Sequence, residues 1–167
     1  MQTLKGFGIE IDKDKFQEAL IYGLACCYLL VEKEVSGYLR PFKLSPAKFN
    51  ALMVIKHMGK GKGISQIEIS RRLIVTASNM TRLLDRLSRE GLIEREAQKG
   101  DRRVNLIKIS KKGSDLLDAA WPGYYKKITE AAYLLKKEEL KSAAALILKW
   151  CDKLQEYKQG ARKQTVG

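Results

Sequence analysis

Between Ser78 and Arg103 the chain gathers side chains able to grip a polyanion: Ser78, Asn79, Thr81, Arg82 and Arg86, then Lys99, Asp101, Arg102 and Arg103. Hydroxyl, amide, ammonium and guanidinium groups bond phosphate oxygens and base edges, and one arginine can bond guanine O6 and N7 at once. The overall charge agrees with such a partner. Lysine and arginine number 32 against 19 acids, a formal net charge of +13. Nucleic acid, an acidic membrane surface and an acidic protein would each suit that balance, so its distribution decides. The stretch from Lys60 to Lys112 holds 14 basic and 6 acidic residues, a net +8 in about a third of the chain.

These side chains need elements to hold them. Met80, Leu83, Leu84 and Leu87 recur at the spacing of one helical face, while Ser78, Arg82, Asp85, Arg86 and Arg89 fall opposite. Thr76 is placed to cap that helix and Gly91 to end it. Upstream, Ser65-Gln66-Ile67-Glu68 has the form of a capping box, which opens a short helix through Leu73. Downstream, Leu92 to Glu96 and Val104 to Ile109 read as two strands, joined by the polar Lys99-Gly100-Asp101-Arg102-Arg103 tip. Two short helices followed by a hairpin with a basic tip form a winged helix-turn-helix, whose second helix fits the DNA major groove. Within that reading Lys99, Arg102 and Arg103 serve flanking backbone or the minor groove. Asp85 reads as a local ion-pair partner and Arg89 as a favourable charge at the helix end, whereas Arg71 and Arg72 suit phosphates or packing.

Long helices flank this centre. From Asp14 to about Leu39 apolar residues step by threes and fours through Phe16, Leu20, Leu24, Cys27, Tyr28, Val31, Val35 and Tyr38. Pro41 stops that helix, and Ser45-Pro46 starts another, carrying Phe49, Leu52, Met53 and Ile55 to the turn Gly59-Lys60-Gly61-Lys62-Gly63. Ser110-Lys111-Lys112 begins a further helix that Pro122 kinks or ends, and a last amphipathic helix runs from Leu140 to Tyr157. The fold class is therefore mainly α with a small β-hairpin wing. Residues 1–44 form an N-terminal dimerisation helix, 45–110 the DNA-binding region and 111–167 the C-terminal dimerisation helices.

Other classes find little support. At 167 residues the chain suits one domain with elaborated ends. It lacks the roughly 18-residue apolar run of a membrane span, and the opening Met1-Gln2-Thr3-Leu4-Lys5 lacks the pattern of a secretory signal, so the expected location is the cytoplasm. There is no Ser/His/Asp or Cys/His set, no glycine-rich phosphate loop after a strand and no metal-ligand cluster, so neither an enzyme nor a cofactor is expected. The three cysteines, Cys26, Cys27 and Cys151, lack zinc spacing, and the single histidine, His57, reads as structural.

The segment Asp101-Arg102-Arg103-Val104-Asn105-Leu106-Ile107-Lys108-Ile109-Ser110-Lys111-Lys112-Gly113 resembles the wing signature of the MarR family, with Ser110 where threonine is commoner. Thr81, Leu87, Gly91, Leu92, Ile93 and Arg95 resemble that family's recognition helix and first wing strand, and the similarity of layout extends from about Phe16 to Tyr157. The resemblance implies a homodimer joined by its terminal helices, which presents two recognition helices to a pseudo-palindromic site on double-stranded DNA. Half-sites should lie about 10 bp apart. It also implies that Asp101 braces Arg103 for the minor groove. Three controls stay open. A small aromatic effector would use a pocket lined by Tyr22, Tyr28, Trp121 and Tyr124, with Tyr125 nearby, although core packing is the commoner role of such residues. An oxidant-sensing repressor would use Cys27 or Cys26, although a buried cysteine is usually an inert small hydrophobe. The third is a winged helix without effector, serving as an architectural or protein-interaction module.

Overall fold

The computed structural model describes the backbone of residues 2–9, 15–73, 77–98 and 101–164, and the side chains of 4–9, 15–73, 79–96 and 106–157. A short helix α1 (Gln2–Gly6) precedes the long α2 (Phe16–Leu39), which passes through a 3-10 turn (Arg40–Phe42) into α3 (Pro46–Gly59). There follow β1 (Ile64–Ser65), α4 (Gln66–Arg72), α5 (Ala77–Arg89), β2 (Ile93–Gln98), β3 (Asp101–Ile109), α6 (Lys111–Ala132) and α7 (Lys137–Gln164). The chain divides into two compact units, Met1–Lys127 and Ile128–Gly167.

Local chemistry sets the helix ends of the first unit. The Ser45 hydroxyl accepts the Lys48 amide at 3.3 Å, and Pro46 occupies the first helical position of α3, where its missing N–H is no loss. At α4 the capping box is complete, because Ser65 Oγ accepts the Glu68 amide while a Glu68 carboxylate oxygen accepts the amide of Ser65. Gly91, at φ 71°, ends the α5 segment in the left-handed conformation that favours glycine.

The sheet has three antiparallel strands in the order β1-β3-β2, one more than the hairpin read from the sequence. Two residues are too few to show an alternation, which hid β1; it exists because Ile64 pairs with Ile107 and Ser65 with Leu106. The second wing strand also starts earlier, at Asp101 rather than Val104, so part of the expected tip is strand. Its register is regular from Ile93↔Ile109 to Ala97↔Asn105, then jumps to Gln98↔Asp101, leaving Arg102 to Val104 as extra residues on β3.

Phe49, Leu52 and Ile55 of α3, Ile69 of α4, Met80, Leu84 and Leu87 of α5, Ile107 of β3, and Leu117 and Ala120 of α6 are all buried. Each element thus contributes its apolar stripe to one core, which fixes α5 through its inner face. Pro122 does not end its helix, since α6 continues to Ala132. The turn before the proline is held by other means: Leu117 and Ala120 are buried, and the Tyr38 hydroxyl donates to the Ala120 carbonyl at 3.1 Å. A side chain at Gly123 would collide with the Tyr38 ring unless that ring moved, so glycine lets α2 approach α6 this closely.

The stripe read on α2 is mostly uncovered. Val35 is buried, but Phe16, Leu20, Leu24, Tyr28 and Val31 are exposed. The cysteines exchange the expected roles: Cys26 is buried and Cys27 exposed, because the inward side of α2 runs through Cys26, Val35 and Leu39. In the second unit α7 likewise exposes Leu146, Ile147, Leu148, Leu154 and Tyr157.

Candidate nucleic-acid interface

Helix α5 has two faces of opposite character. Met80, Leu84 and Leu87 are each 0% exposed, whereas Leu83, read from the sequence as part of the same stripe, is only partly covered. On the outer side Asn79, Thr81, Arg82, Arg86 and Arg89 are exposed. Arg82, Arg86 and Arg89 recur at i, i+4 and i+7, one above the other along the helix. Among the described residues none of the three forms an ion pair, so three guanidinium groups stand ready for an outside anion. They border a cleft of about 570 Å³ whose other wall is the start of α3, with Ser45 and Lys48.

The flanks of α5 are tied down. Gln66 Nε2 of α4 donates to the Thr81 hydroxyl at 2.9 Å, so Thr81 joins the two helices of the helix-turn-helix. Asp85 accepts from Arg95 of β2 at 2.6 Å, as the sequence reading of Asp85 expected. At the far end Lys48 Nζ donates to both Glu90 carboxylate oxygens, at 2.6 and 2.7 Å. Arg72 Nη1 donates to the Glu68 carbonyl at 3.0 Å, a bond within α4.

The wing is anchored from its base. Ser110 Oγ donates to the Gly91 carbonyl at 2.7 Å and accepts the Gly113 amide at 3.0 Å, so one hydroxyl joins the end of the α5 segment to the start of α6. A side chain at Gly113 would strike the Leu92 carbonyl oxygen, so glycine is needed for α6 to pass the wing. Lys112 Nζ donates to the Glu90 carbonyl at 2.8 Å, and Lys108 pairs with Glu96 across the hairpin at 2.6 Å. Asp101, Arg102 and Arg103 lie at the far end of β3, and Ser78 in the first turn of α5. Lys99 and the expected cap Thr76 lie outside the described residues, and so do the side chains of Ser78, Asp101, Arg102 and Arg103.

Of the four residues read as an effector pocket, two come together. Trp121 and Tyr124 form a cluster with Phe49 and Tyr125, with ring centroids 4.3 to 6.3 Å apart. Burial pushes the Tyr124 phenol above its usual range. Tyr22 and Tyr28 are exposed on α2, and among the described residues no ring contact joins them to this cluster. His57 is exposed on α3. Among the described residues no three potential metal ligands gather, and no helix is long and apolar enough to cross a membrane.

Sequence reasoning missed Lys48, Glu90, Gln66 and the two-sided role of Ser110. Two of them left a trace: a lysine in the first turn of one helix and a glutamate just past the end of another each oppose the helix dipole.

The comparisons with known proteins agree with this geometry. A MarR family model matches residues 42–104. The regulator MhqR of Bacillus subtilis is 25% identical over 124 residues, which are 74% of this chain and 83% of that protein. The multiple antibiotic resistance protein MarR of Salmonella typhimurium is 30% identical over 108 residues, 63% of this chain and 72% of that protein. Among solved structures, a mutant of E. coli MarR complexed with operator DNA shares the fold, with a TM-score of 0.71 at 24% identity over 82% of this chain and 98% of that one. The chain belongs to the MarR family of winged helix-turn-helix transcriptional regulators.

Proposed function

We propose that this regulator works as a homodimeric repressor, which binds pseudo-palindromic operators in double-stranded DNA and is released by a small aromatic ligand. The observation that carries DNA binding is the outer face of α5, where Arg82, Arg86 and Arg89 are exposed while Met80, Leu84 and Leu87 on the inner face are buried. A helix held in this way presents its arginines to a groove without loss of core. Asn79, Arg82 and Arg86 are assigned to the major groove, with Ser78, while Lys99, Arg102 and Arg103, with Asp101 as brace, are assigned to the flanking backbone or minor groove. The solved E. coli relative is itself complexed with operator DNA.

Dimerisation is supported by apolar side chains that the single chain leaves in water, including Leu20 and Tyr28 on α2 and Leu148 and Tyr157 on α7. A dimer on two half-sites about one helical turn apart covers enough duplex to exclude other proteins, which supports repression. For ligand release the support is the half-buried aromatic group of Trp121 and Tyr124 against Phe49. Oxidant sensing is less well supported, since Cys26 is buried and Cys27 lies among the apolar residues that a dimer would cover.

The test is to select bound fragments from a random duplex library with the purified protein, then repeat the binding with phenolic acids and with peroxide. An enriched inverted repeat, and release by a phenolic acid, are expected. Equal retention of all sequences would refute sequence-specific regulation, and release by peroxide alone would replace the aromatic ligand by a thiol.

A further inference from the structure

Lys48 stands where two local rules disfavour it. It lies in the first turn of α3, where the helix dipole repels a cation, and only 7% of it is exposed, although lysine is almost never buried without a partner. Glu90 is placed against the same dipole rule, directly after the C-terminal turn of α5. Each residue is unfavourable for its own helix and is compensated by the other. The three protons of the Lys48 ammonium meet three acceptors: Glu90 Oε1 at 2.6 Å, Glu90 Oε2 at 2.7 Å and the Lys43 carbonyl at 3.2 Å. The same Glu90 offers its own carbonyl to Lys112 Nζ at 2.8 Å, and the next residue, Gly91, offers its carbonyl to Ser110. The end of α5 is therefore bound to α3 and to the start of α6, while Lys48 itself is also held by the turn before α3.

We infer that Lys48 and Glu90 are positioning residues for sequence readout, which set the angle of α5 against α3 and thereby decide which base edges its outer face meets. This rests on the DNA-binding function proposed above. Helix α5 has 13 residues, so it is about 20 Å long, and a 5° tilt about its C-terminal end displaces the first turn by nearly 2 Å. In helix-turn-helix proteins it is that N-terminal end which contacts base edges. A displacement of this size breaks directional hydrogen bonds but hardly alters the attraction of arginines for phosphate, which is long-ranged and non-directional. The pair therefore governs discrimination between sequences more than total affinity. The Lys48 side chain is buried while that of Glu90 is 39% exposed, so water screens the pair on one side, and its three directional bonds constrain geometry more than they add stability.

The experiment uses the duplex most enriched by the full-length wild-type protein, a scrambled duplex of the same composition, and the variants Lys48→Met and Glu90→Gln. Binding is measured over a range of salt, below the melting transition of each variant. The two substitutions move the net charge in opposite directions, so a purely electrostatic effect shifts affinity for the scrambled duplex in opposite directions. The positioning role predicts that in both variants the ratio of enriched to scrambled affinity falls at least tenfold. Loss of affinity in parallel on both duplexes, or an unchanged ratio in folded variants, overturns it. If the wild type enriches no sequence, the DNA-reading function itself fails; enrichment with an unchanged ratio removes only the role of the pair.

Discussion

The winged centre and the long helices use the same residue types to different ends. In the centre Leu84, Leu87 and Ile69 have no exposed surface, whereas Leu20 on α2 is 53% exposed and Leu148 on α7 is 66% exposed. Both regions show apolar residues at helical spacing, so amphipathicity alone does not say what a stripe will meet. The difference lies in the neighbours. α5 lies beside α3, α4 and β2, which the chain itself supplies. The outer stripes of α2 and of α7 are each exposed among the described residues, which suits surfaces completed by a second copy.

The largest effect that could break this comparison is expected in the centre. Leu84→Ala should cost about 3 kcal/mol of stability, because it opens a cavity in a region without slack. Chemical denaturation measures it, and a loss below about 1 kcal/mol would mean that α5 is not anchored through its inner face. Next comes Arg82→Ala on the outer face of the same helix. Operator affinity should fall by about 1 to 3 kcal/mol with no change in melting temperature. A matching loss of stability would instead make Arg82 part of the fold. On the long helices Leu20→Asp should change the intrinsic stability of the single chain by less than about 0.5 kcal/mol. It should nevertheless shift the sedimenting species from dimer to monomer, and a dimer that persists would remove α2 from the interface.

The smallest effect concerns Lys56 of α3, which bonds both carboxylate oxygens of Asp118 on α6 at 2.6 and 2.7 Å. That hydrogen-bonded ammonium holds the Asp118 carboxyl below its usual value of 3.8. A carboxyl depressed in the folded state stabilises the fold above its unfolded pKa and loses that contribution as pH falls through the folded value. Lys56→Met should therefore lower stability slightly at neutral pH and flatten its loss below about pH 3.8 by the same small amount. An acid limb that is unchanged would show the pair to be energetically silent, as many exposed ion pairs are.

Much of the centre was legible because its signals are local. The Ser65–Glu68 box, the Ser45-Pro46 start, the Gly91 stop and the stripe of α5 each depend on residues a few positions apart. What escaped the sequence depends on distant partners. β1 exists only because Ile107 lies beside Ile64, and the Lys48–Glu90 pair joins residues 42 positions apart. Pro122 was read by its local cost, which buried neighbours and the Tyr38 bond to Ala120 offset. At Cys26 and Cys27 spacing failed because α2 has apolar residues on more than one side, and only the fold selects which side turns inward.

The wing has a consequence for how such a regulator can change over generations. Ile107 pairs with Ile64 on one side and Arg95 on the other, so the sheet is registered at its base, far from Arg102 and Arg103. Near the far end β3 already accommodates more residues than β2 without disturbing that base. Residues can thus be gained, lost or exchanged there at little thermodynamic cost while the scaffold stays constant.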